Sequence, residues 1–238
     1  LCRRAALVTA ELDQATLSAP VITGGVLQTD AQHVDFAFLE LNPETGKVEM
    51  LVQLPDMEVR DDVKIESANW TLFDFDLASF TVATPHLDNP EDGFGFGMAL
   101  LWTDPSAADP LFWMGELTAA HVGQGEHLGV VADEYRLTGS AFDIDLSIGD
   151  EGRLWLDSKD GHVVDAFMPV PNHPGYTDFR LRLFVGKADF PPLAARDLVE
   201  CRLVDLGALA RAAAVAGLAG RVGGHAYLDR GSAHRVFQ

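Results

Sequence analysis

The sequence is poor in cysteine and lacks any long hydrophobic run, and each shortage excludes a class of protein. Cys2 and Cys201 are the two cysteines among 238 residues, and their separation fits no zinc, haem or redox motif. Two alternatives stay open for this pair: one disulfide joining the two ends of the sequence, or two ordinary thiols. The longest apolar stretches, residues 94–102 and the alanine-rich segment after residue 206, are too short to cross a bilayer, so we expect no membrane span.

Catalytic and cofactor motifs are also missing. The sequence contains no Gly-x-Ser-x-Gly elbow, no glycine-rich phosphate loop and no His-Glu-x-x-His pair. The acidic turn at residues 88–93 does not fit a calcium loop, because Pro90 occupies a position that must supply a ligand. His121, Glu126 and His127 flank a glycine-rich stretch that allows a metal site or a plain turn, and we favour the turn. We therefore predict neither a metal nor a cofactor.

Positive charge is scarce. The 17 basic and 36 acidic residues give a formal net charge of −19, and only Lys47, Lys64, Lys159 and Lys187 are lysines. Such a chain repels phosphates and anionic lipid headgroups, so we expect no nucleic-acid partner and no anionic membrane surface as a partner. A well-solvated acidic surface is the favoured explanation, and adaptation to high salt is the alternative. A protein partner or a homo-oligomer stays open.

The first eight residues carry two arginines, and their apolar stretch is too short for an intact signal peptide. Because the sequence does not start with methionine, we expect a processed or trimmed chain. The compartment stays open, either the cytoplasm or an extracytoplasmic location after processing.

Alternation of apolar and polar residues dominates from residue 15 to residue 186. A hairpin is predicted at residues 34–54, where two alternating runs flank the turn at residues 42–46. Most of the runs are separated by turn sequences rich in glycine, proline and aspartate. Further strands are predicted at residues 71–84, 94–103, 111–122, 128–138, 141–148, 153–157, 162–168 and 178–185.

The fold class predicted from these strands is mainly β. We predict an antiparallel up-and-down meander that forms a closed or half-closed barrel over residues 15–186, in a single domain of residues 1–238. Residues 193–222, rich in alanine and leucine, are predicted to form one or two helices that cover the sheet, and residues 225–237 a final short strand. This outline is similar to lipocalin-type and lipoprotein-carrier-type architectures, but the early Gly-x-Trp signature of lipocalins is absent, so no family is assigned.

Two predicted strands, at residues 141–148 and 178–183, need only a structural explanation. In residues 141–148 we expect Phe142, Ile144, Leu146 and Ile148 to face the core, while the residues between them face water. Residues 178–183 follow the same pattern.

Two predicted strands are apolar on both faces and carry the candidate ligand-binding residues. Gly95 and Gly97 leave a gap beside the first of these strands, which either a bulky neighbouring side chain or a ligand can fill. Core packing is the favoured explanation, and a ligand cavity is the alternative. The candidate ligand-binding residues are Phe94, Phe96, Trp102, Trp113 and Met114.

The candidate acid–base residues are Glu116, His121, His173 and Tyr176. Glu116 is expected among apolar neighbours, which would raise the pKa of its carboxyl, unless it reaches water or pairs with Arg136. The proline-rich loop at residues 169–178 presents His173 and Tyr176 either as a site or as a plain hairpin corner, and we favour the corner.

Three functional hypotheses remain. The leading one is a non-enzymatic binding or carrier protein that holds an apolar or aromatic small molecule inside the barrel. The alternative is an acid–base enzyme, such as a lyase, isomerase or cyclase, that uses the four acid–base residues in the same cavity. The third is an accessory subunit of a larger assembly, recognisable by a wide exposed apolar patch.

Overall fold

Two β-sheets, both built as meanders, make up most of the structure. It is a computed structural model that describes residues 4–28, 32–55, 57–73, 77–102, 107, 109–182 and 221–224. Within these residues the fold is mostly β with one short α-helix, and the seven-stranded sheet curls into a half-barrel. The predicted fold class is therefore confirmed, although the strands form two sheets instead of one continuous wall.

The six-stranded sheet has the order β13-β1-β2-β3-β4-β5 and is antiparallel throughout. Its strands are β1 (Arg4–Asp13), β2 (Ser18–Gln28), β3 (His33–Asn42), β4 (Lys47–Leu54), β5 (Met57–Lys64) and β13 (Arg221–Gly224). The predicted hairpin at residues 34–54 is confirmed as β3 and β4. In its turn the Asn42 side-chain oxygen accepts hydrogen bonds from the backbone N–H groups of Glu44 and Thr45, a stabilisation typical of asparagine at this position.

The seven-stranded sheet has the order β12-β11-β10-β9-β8-β7-β6. Its strands are β6 (Trp70–Leu72), β7 (Phe94–Leu101), β8 (Leu111–His127), β9 (Val130–Thr138), β10 (Gly152–Asp157), β11 (Val163–Met168) and β12 (Phe179–Arg182). All neighbours are antiparallel except β6 and β7, which run parallel. Helix α1 (Ala78–Ala83) and three 3-10 turns (Thr84–His86, Pro90–Asp92 and Ser140–Phe142) lie in the connections.

Two hydrophobic cores hold the sheets in place. The first core lies on one face of the half-barrel, which we call the concave face, the opposite one being the convex face. It includes Phe80, Phe96, Met98, Leu117, Tyr135, Leu137, Phe142, Leu154, Met168 and Leu181. The second core lies between the two sheets and includes Ile22, Leu39, Val48 and Met50 from one and Trp70, Leu72, Leu101 and Leu111 from the other. Burial of each large side chain contributes about 1.5–3 kcal/mol, so the two cores are the main source of stability.

A polar contact also joins the sheets. The backbone N–H of Leu111, the first residue of β8, donates a hydrogen bond to the Asp61 carboxylate of β5 at 2.9 Å. Asp61 therefore satisfies a backbone donor where the half-barrel meets the edge of the other sheet.

The prediction of a strand at residues 141–148 is wrong. These residues form a 3-10 turn followed by irregular chain, and Leu146 and Ile148 are exposed. The physical reason is topological, because β9 and β10 already pair with each other directly and leave no place between them for another strand. Of the four side chains expected to face the core, Phe142 alone is buried in the first core, next to the buried Ala141, and Ile144 is partly buried against it.

The prediction of a strand at residues 71–84 is also wrong for most of that segment, since β6 ends at Leu72. After β6 the chain forms α1 instead, where the Ser79 hydroxyl bonds the Thr71 hydroxyl at 2.7 Å and accepts from the backbone N–H of Leu72 at 3.2 Å. These bonds and the burial of Phe80 outweigh the local preference for a strand. Of the predicted helical region 193–222, Arg221 and Val222 lie in β13, and the rest, like Cys2, Cys201 and residues 225–237, lies outside the described residues.

The gap beside Gly97 is filled by protein. A Cβ atom built at this position overlaps the indole ring of Trp113, on the neighbouring strand β8. Trp113 packs there against the second core. Of the two alternatives for this gap, the bulky neighbouring side chain is therefore the one observed.

We predict that Gly97→Ala lowers the free energy of unfolding by about 1–3 kcal/mol, because the new methyl group forces the Trp113 ring out of its packed position. Urea denaturation measures the change. Gly125→Ala is the matched control in the same sheet, since no described atom lies within 4 Å of a Cβ built there, and its stability should change by less than about 0.5 kcal/mol. Equal effects of the two substitutions would contradict the packing argument.

Candidate functional site at the end of the half-barrel

Aromatic rings line the concave face near the start of β7. The Phe94 ring centroid lies 5.3 Å from that of Tyr135 and 6.1 Å from that of Phe96, and Phe96 is 4.6 Å from Phe80. Phe80, Phe96 and Tyr135 are buried, whereas Phe94 is half-buried. We call Phe80, Phe94, Phe96 and Tyr135 the aromatic cluster. Through Phe94, this cluster is partly open to solvent.

A hydrogen-bonded polar group adjoins the aromatic cluster. His121 Nε2 on β8 donates to Asp133 Oδ1 on β9 at 3.2 Å, and the Gln124 side-chain amide donates to the same oxygen at 3.3 Å. The His121 ring centroid is 5.3 Å from that of Tyr135. We call His121, Gln124 and Asp133 the polar rim. His121 and Asp133 keep 25% and 19% of their side-chain surface, so they are partly desolvated but reachable.

A β-bulge creates the polar rim. In β8, His121 pairs with Tyr135, but Gly123 pairs with Glu134, which leaves Val122 without a partner in the register. In a regular strand His121 and Gln124 would point to opposite faces. Because the extra residue shifts the alternation by one, both side chains reach Asp133.

Tyr135 is the titratable group at the centre of the site whose pKa departs clearly from its ordinary value. Burial raises the pKa of its hydroxyl to about 12, and the negative charges of Asp133 and Glu91 add to this effect. The hydroxyl is therefore neutral throughout the physiological range.

Only part of the predicted ligand-binding set lies at this site. Phe94 and Phe96 belong to the aromatic cluster, next to the polar rim. Met114 is buried in the first core and Trp102 packs against it, while Trp113 packs against the second core. The five residues therefore do not line one common surface.

Glu116 is exposed to solvent, so of the alternatives for this residue the one observed is access to water, and desolvation does not occur. A second bulge in β8 produces this exposure: Met98 pairs with Gly115 and Ala99 with Trp113, which leaves Met114 as the extra residue. Met114 consequently turns into the core and Glu116 turns out. Arg136, considered as a partner for Glu116, lies instead 3.9 Å from the carboxylate of Glu151.

His173 and Tyr176 are neighbours in the proline-rich loop between β11 and β12. Their ring centroids lie 5.3 Å apart. His173 Nδ1 donates to the carbonyl of Pro174 at 2.7 Å, and the N–H of Tyr176 donates to the carbonyl of His173 at 3.2 Å. These bonds are internal to the loop, which is the geometry of a stiff corner. His121, in contrast, has its partners on β9.

The convex face of the half-barrel carries a second histidine–aspartate pair that the sequence did not reveal. His127 Nε2 donates to Asp165 Oδ2 at 2.9 Å, and its ring stacks on Trp155 with 4.4 Å between centroids. Asp165 is only 8% exposed and also lies 3.5 Å from the guanidinium of Arg182. These contacts tie the end of β8 to β10, β11 and β12. No sequence signal marks this group, because its four residues, His127, Trp155, Asp165 and Arg182, come from four strands.

Acidic and imidazole groups also meet on the turn between β10 and β11. Ligand atoms of Asp157, Asp160 and His162 lie within 4.8 Å of one another, the one such group among the described residues. The Asp160 carboxylate is exposed and hydrogen-bonds to His162. Its pKa is lowered, with burial opposing and the bonds to His162 favouring the charged form. This turn is distant from the polar rim in sequence but lies at the same end of the sheet, because Leu156 pairs with Asp133 and Asp157 with Ala132.

Comparisons with known proteins add no family to this geometry. The chain matches no protein-family model, no curated protein and no solved structure. In the part of the chain that the structure describes, none of the helices has the length and apolar character to span a membrane.

We predict that Tyr135 ionises near pH 12 in the folded protein, from an ordinary value of 10.0. Below pH 10 the hydroxyl is protonated in both the folded and the unfolded state. Between pH 10 and about 12 only the unfolded state loses the proton, so the free energy of unfolding should fall across this interval.

Ultraviolet absorbance of tyrosinate, compared between the wild type and Tyr135→Phe, measures this titration. Asp133→Asn should lower the Tyr135 pKa part of the way toward 10.0, since burial, the larger cause, is retained. A Tyr135 pKa that is already ordinary in the wild type would contradict the burial of the hydroxyl.

Proposed function

We propose that the protein binds a small aromatic or apolar molecule against the aromatic cluster, with the polar rim as the source of directional hydrogen bonds. The observation that carries this proposal is the half-buried ring of Phe94, which contacts Tyr135 next to the His121–Asp133 pair. An apolar surface with a few convergent polar groups is the usual composition of a small-molecule site.

The contacts define the chemistry of the ligand. The packed first core supports binding at the end of the half-barrel in preference to enclosure within it. One aromatic ring can stack on Phe94, with centroids in the range of 4.5–7 Å that is general for such pairs. The carboxylates of Asp133 and Glu91 and the overall charge of −19 disfavour an anion. The expected ligand is therefore uncharged or cationic.

Titration with the neutral solvatochromic dye Nile red tests this proposal. We expect a blue-shifted, enhanced emission at micromolar protein. Phe94→Leu, which keeps an apolar side chain but removes the ring, should weaken binding about fivefold, corresponding to about 1 kcal/mol of aromatic contact. The matched control is Phe167→Leu, a half-buried ring on the convex face under the guanidinium of Arg180. No dye binding, or equal losses in both variants, would refute the proposal.

A second candidate function is acid–base catalysis at the same place. The observation that favours it is the His121–Asp133 hydrogen bond, because a carboxylate that holds one imidazole nitrogen orients the ring for proton transfer through the other. Incubation with a panel of simple ketones in D₂O, followed by NMR, would detect loss of protons next to the carbonyl. The exchange should be lost in His121→Ala, and exchange that is equally fast in this variant would exclude His121 as the base.

A further inference from the structure

Strand β8 is longer than its neighbour β7, so part of β8 is hydrogen-bonded to one neighbouring strand instead of two. The pairing of β7 with β8 ends at Phe94 and Ala119. Beyond this point β8 continues to His127 and pairs with β9 alone. Among the described residues, residues 120–127 therefore present one side of their backbone to no other strand. We call this stretch the β8 edge.

The β8 edge lacks the charged side chains that protect strand β5, an edge strand of the six-stranded sheet. Strand β5, at the margin of the six-stranded sheet, has five charged residues among its eight: Glu58, Arg60, Asp61, Asp62 and Lys64. Charged side chains of this kind discourage the addition of a foreign strand. Residues 120–127 contain one carboxylate, that of Glu126, and neither lysine nor proline. Among the described residues, its protection is a bulge at Val122 and, at its first residue, the chain at Gly93, which lies against Ala119 and Ala120.

The hairpin formed by β8 and β9 also exposes apolar side chains. Val122 and Val131 are each 56% exposed, and Leu128 in the turn is 47% exposed. Leu128 adopts φ 50°, a left-handed conformation that costs a bulky residue about 1–2 kcal/mol. The positive φ belongs to the two-residue turn Leu128–Gly129, in which Gly129 also has a positive φ of 83°. The turn therefore holds an apolar side chain exposed at the tip of the hairpin.

The hairpin is held rigidly in spite of its exposure. The hydrogen bond from His127 to Asp165 and the stacking of His127 on Trp155 fix the last residue of β8 to the convex face. A strand that is already ordered loses little conformational entropy when another strand adds to it.

We propose that the β8 edge is a docking site for an extended, cationic segment of a partner protein, which adds to the half-barrel as a further β-strand. Main-chain hydrogen bonds would supply affinity, and the exposed valines would receive apolar side chains at alternate positions. Charge complementarity identifies the occupant. Glu126 lies on the edge, and the turn Pro90–Asp92, with Glu91 and Asp92, leads into Gly93, which lies against Ala119 and Ala120. A second copy of this chain, with its own charge of −19, is the less favourable partner.

Binding of synthetic peptides tests the proposal, with fluorescence anisotropy as the measurement. The probe is a short labelled peptide of alternating lysine and valine, and the comparison peptide has the same sequence with N-methyl groups on alternate backbone nitrogens. N-methylation removes ladder donors and keeps the charge. The unmodified peptide should bind, and the N-methylated peptide should bind at least about tenfold more weakly, the loss expected from several hydrogen bonds.

Two variants locate the peptide. Glu126→Lys should weaken binding about fivefold, because it reverses one exposed charge on the β8 edge. Glu58→Lys on β5 makes the same change at the protected edge and should leave binding unchanged. Hydrogen exchange should show new protection at residues 120–127 when the peptide is present. Phe94→Leu should bind the peptide normally, which separates this proposal from the small-molecule site.

The proposal is overturned by any of four results. The first is that the lysine–valine peptide does not bind, and the second is that its N-methylated form binds equally well. The third is that Glu58→Lys weakens peptide binding more than Glu126→Lys does. The fourth is that the peptide gives no exchange protection at residues 120–127 and protects other residues instead. Light scattering that shows a dimer abolished by Glu126→Lys would likewise overturn it, since the edge would then serve a second copy of the chain.

Discussion

The alternation of side chains along β8, interrupted by two bulges, is the constraint on which most of this structure depends. The strand has 17 residues and contributes to both cores, to the polar rim and to the proposed docking edge. At the first bulge Met114 turns into the concave face and Glu116 turns out, while Trp113 fills the gap beside Gly97. At the second bulge His121 and Gln124 come to share one carboxylate. Without these shifts the same residues would build a different surface, because one extra residue exchanges the two faces of a strand.

The packed cores and the polar rim divide the half-barrel into a structural and a chemical part. Side chains of the first core are almost fully buried, so the middle of the concave face serves stability. At the end of the sheet, Phe94 is partly open and His121, Gln124 and Asp133 form a hydrogen-bonded group beside it. The buried hydroxyl of Tyr135, with a raised pKa, lies where these two parts meet. Polar groups here are partly desolvated, which strengthens each hydrogen bond that a ligand makes.

Local patterns predicted those elements whose tertiary environment agrees with them. The hairpin of β3 and β4 followed from alternation and a turn that begins with asparagine, and Phe179 and Leu181 face the core as expected. Residues 141–148 show the limit of such patterns. Their alternation is as regular as that of any strand, but the direct pairing of β9 with β10 excludes them from the sheet. In the candidate site, His121, Phe94 and Phe96 were found from residue type, whereas Asp133 and Tyr135 were missed because their role depends on cross-strand register.

The sequence by itself determined the fold class, since a period of two in apolar residues with turn residues between runs permits burial only in sheets. It also determined the negative net charge, because charge is a property of composition. Only the tertiary structure decided that the strands separate into two sheets, that Trp113 closes the gap at Gly97, and that His121 meets Asp133. The physical reason is that bulges and strand neighbours are chosen by the packing of residues far apart in the chain, and no local pattern encodes that choice.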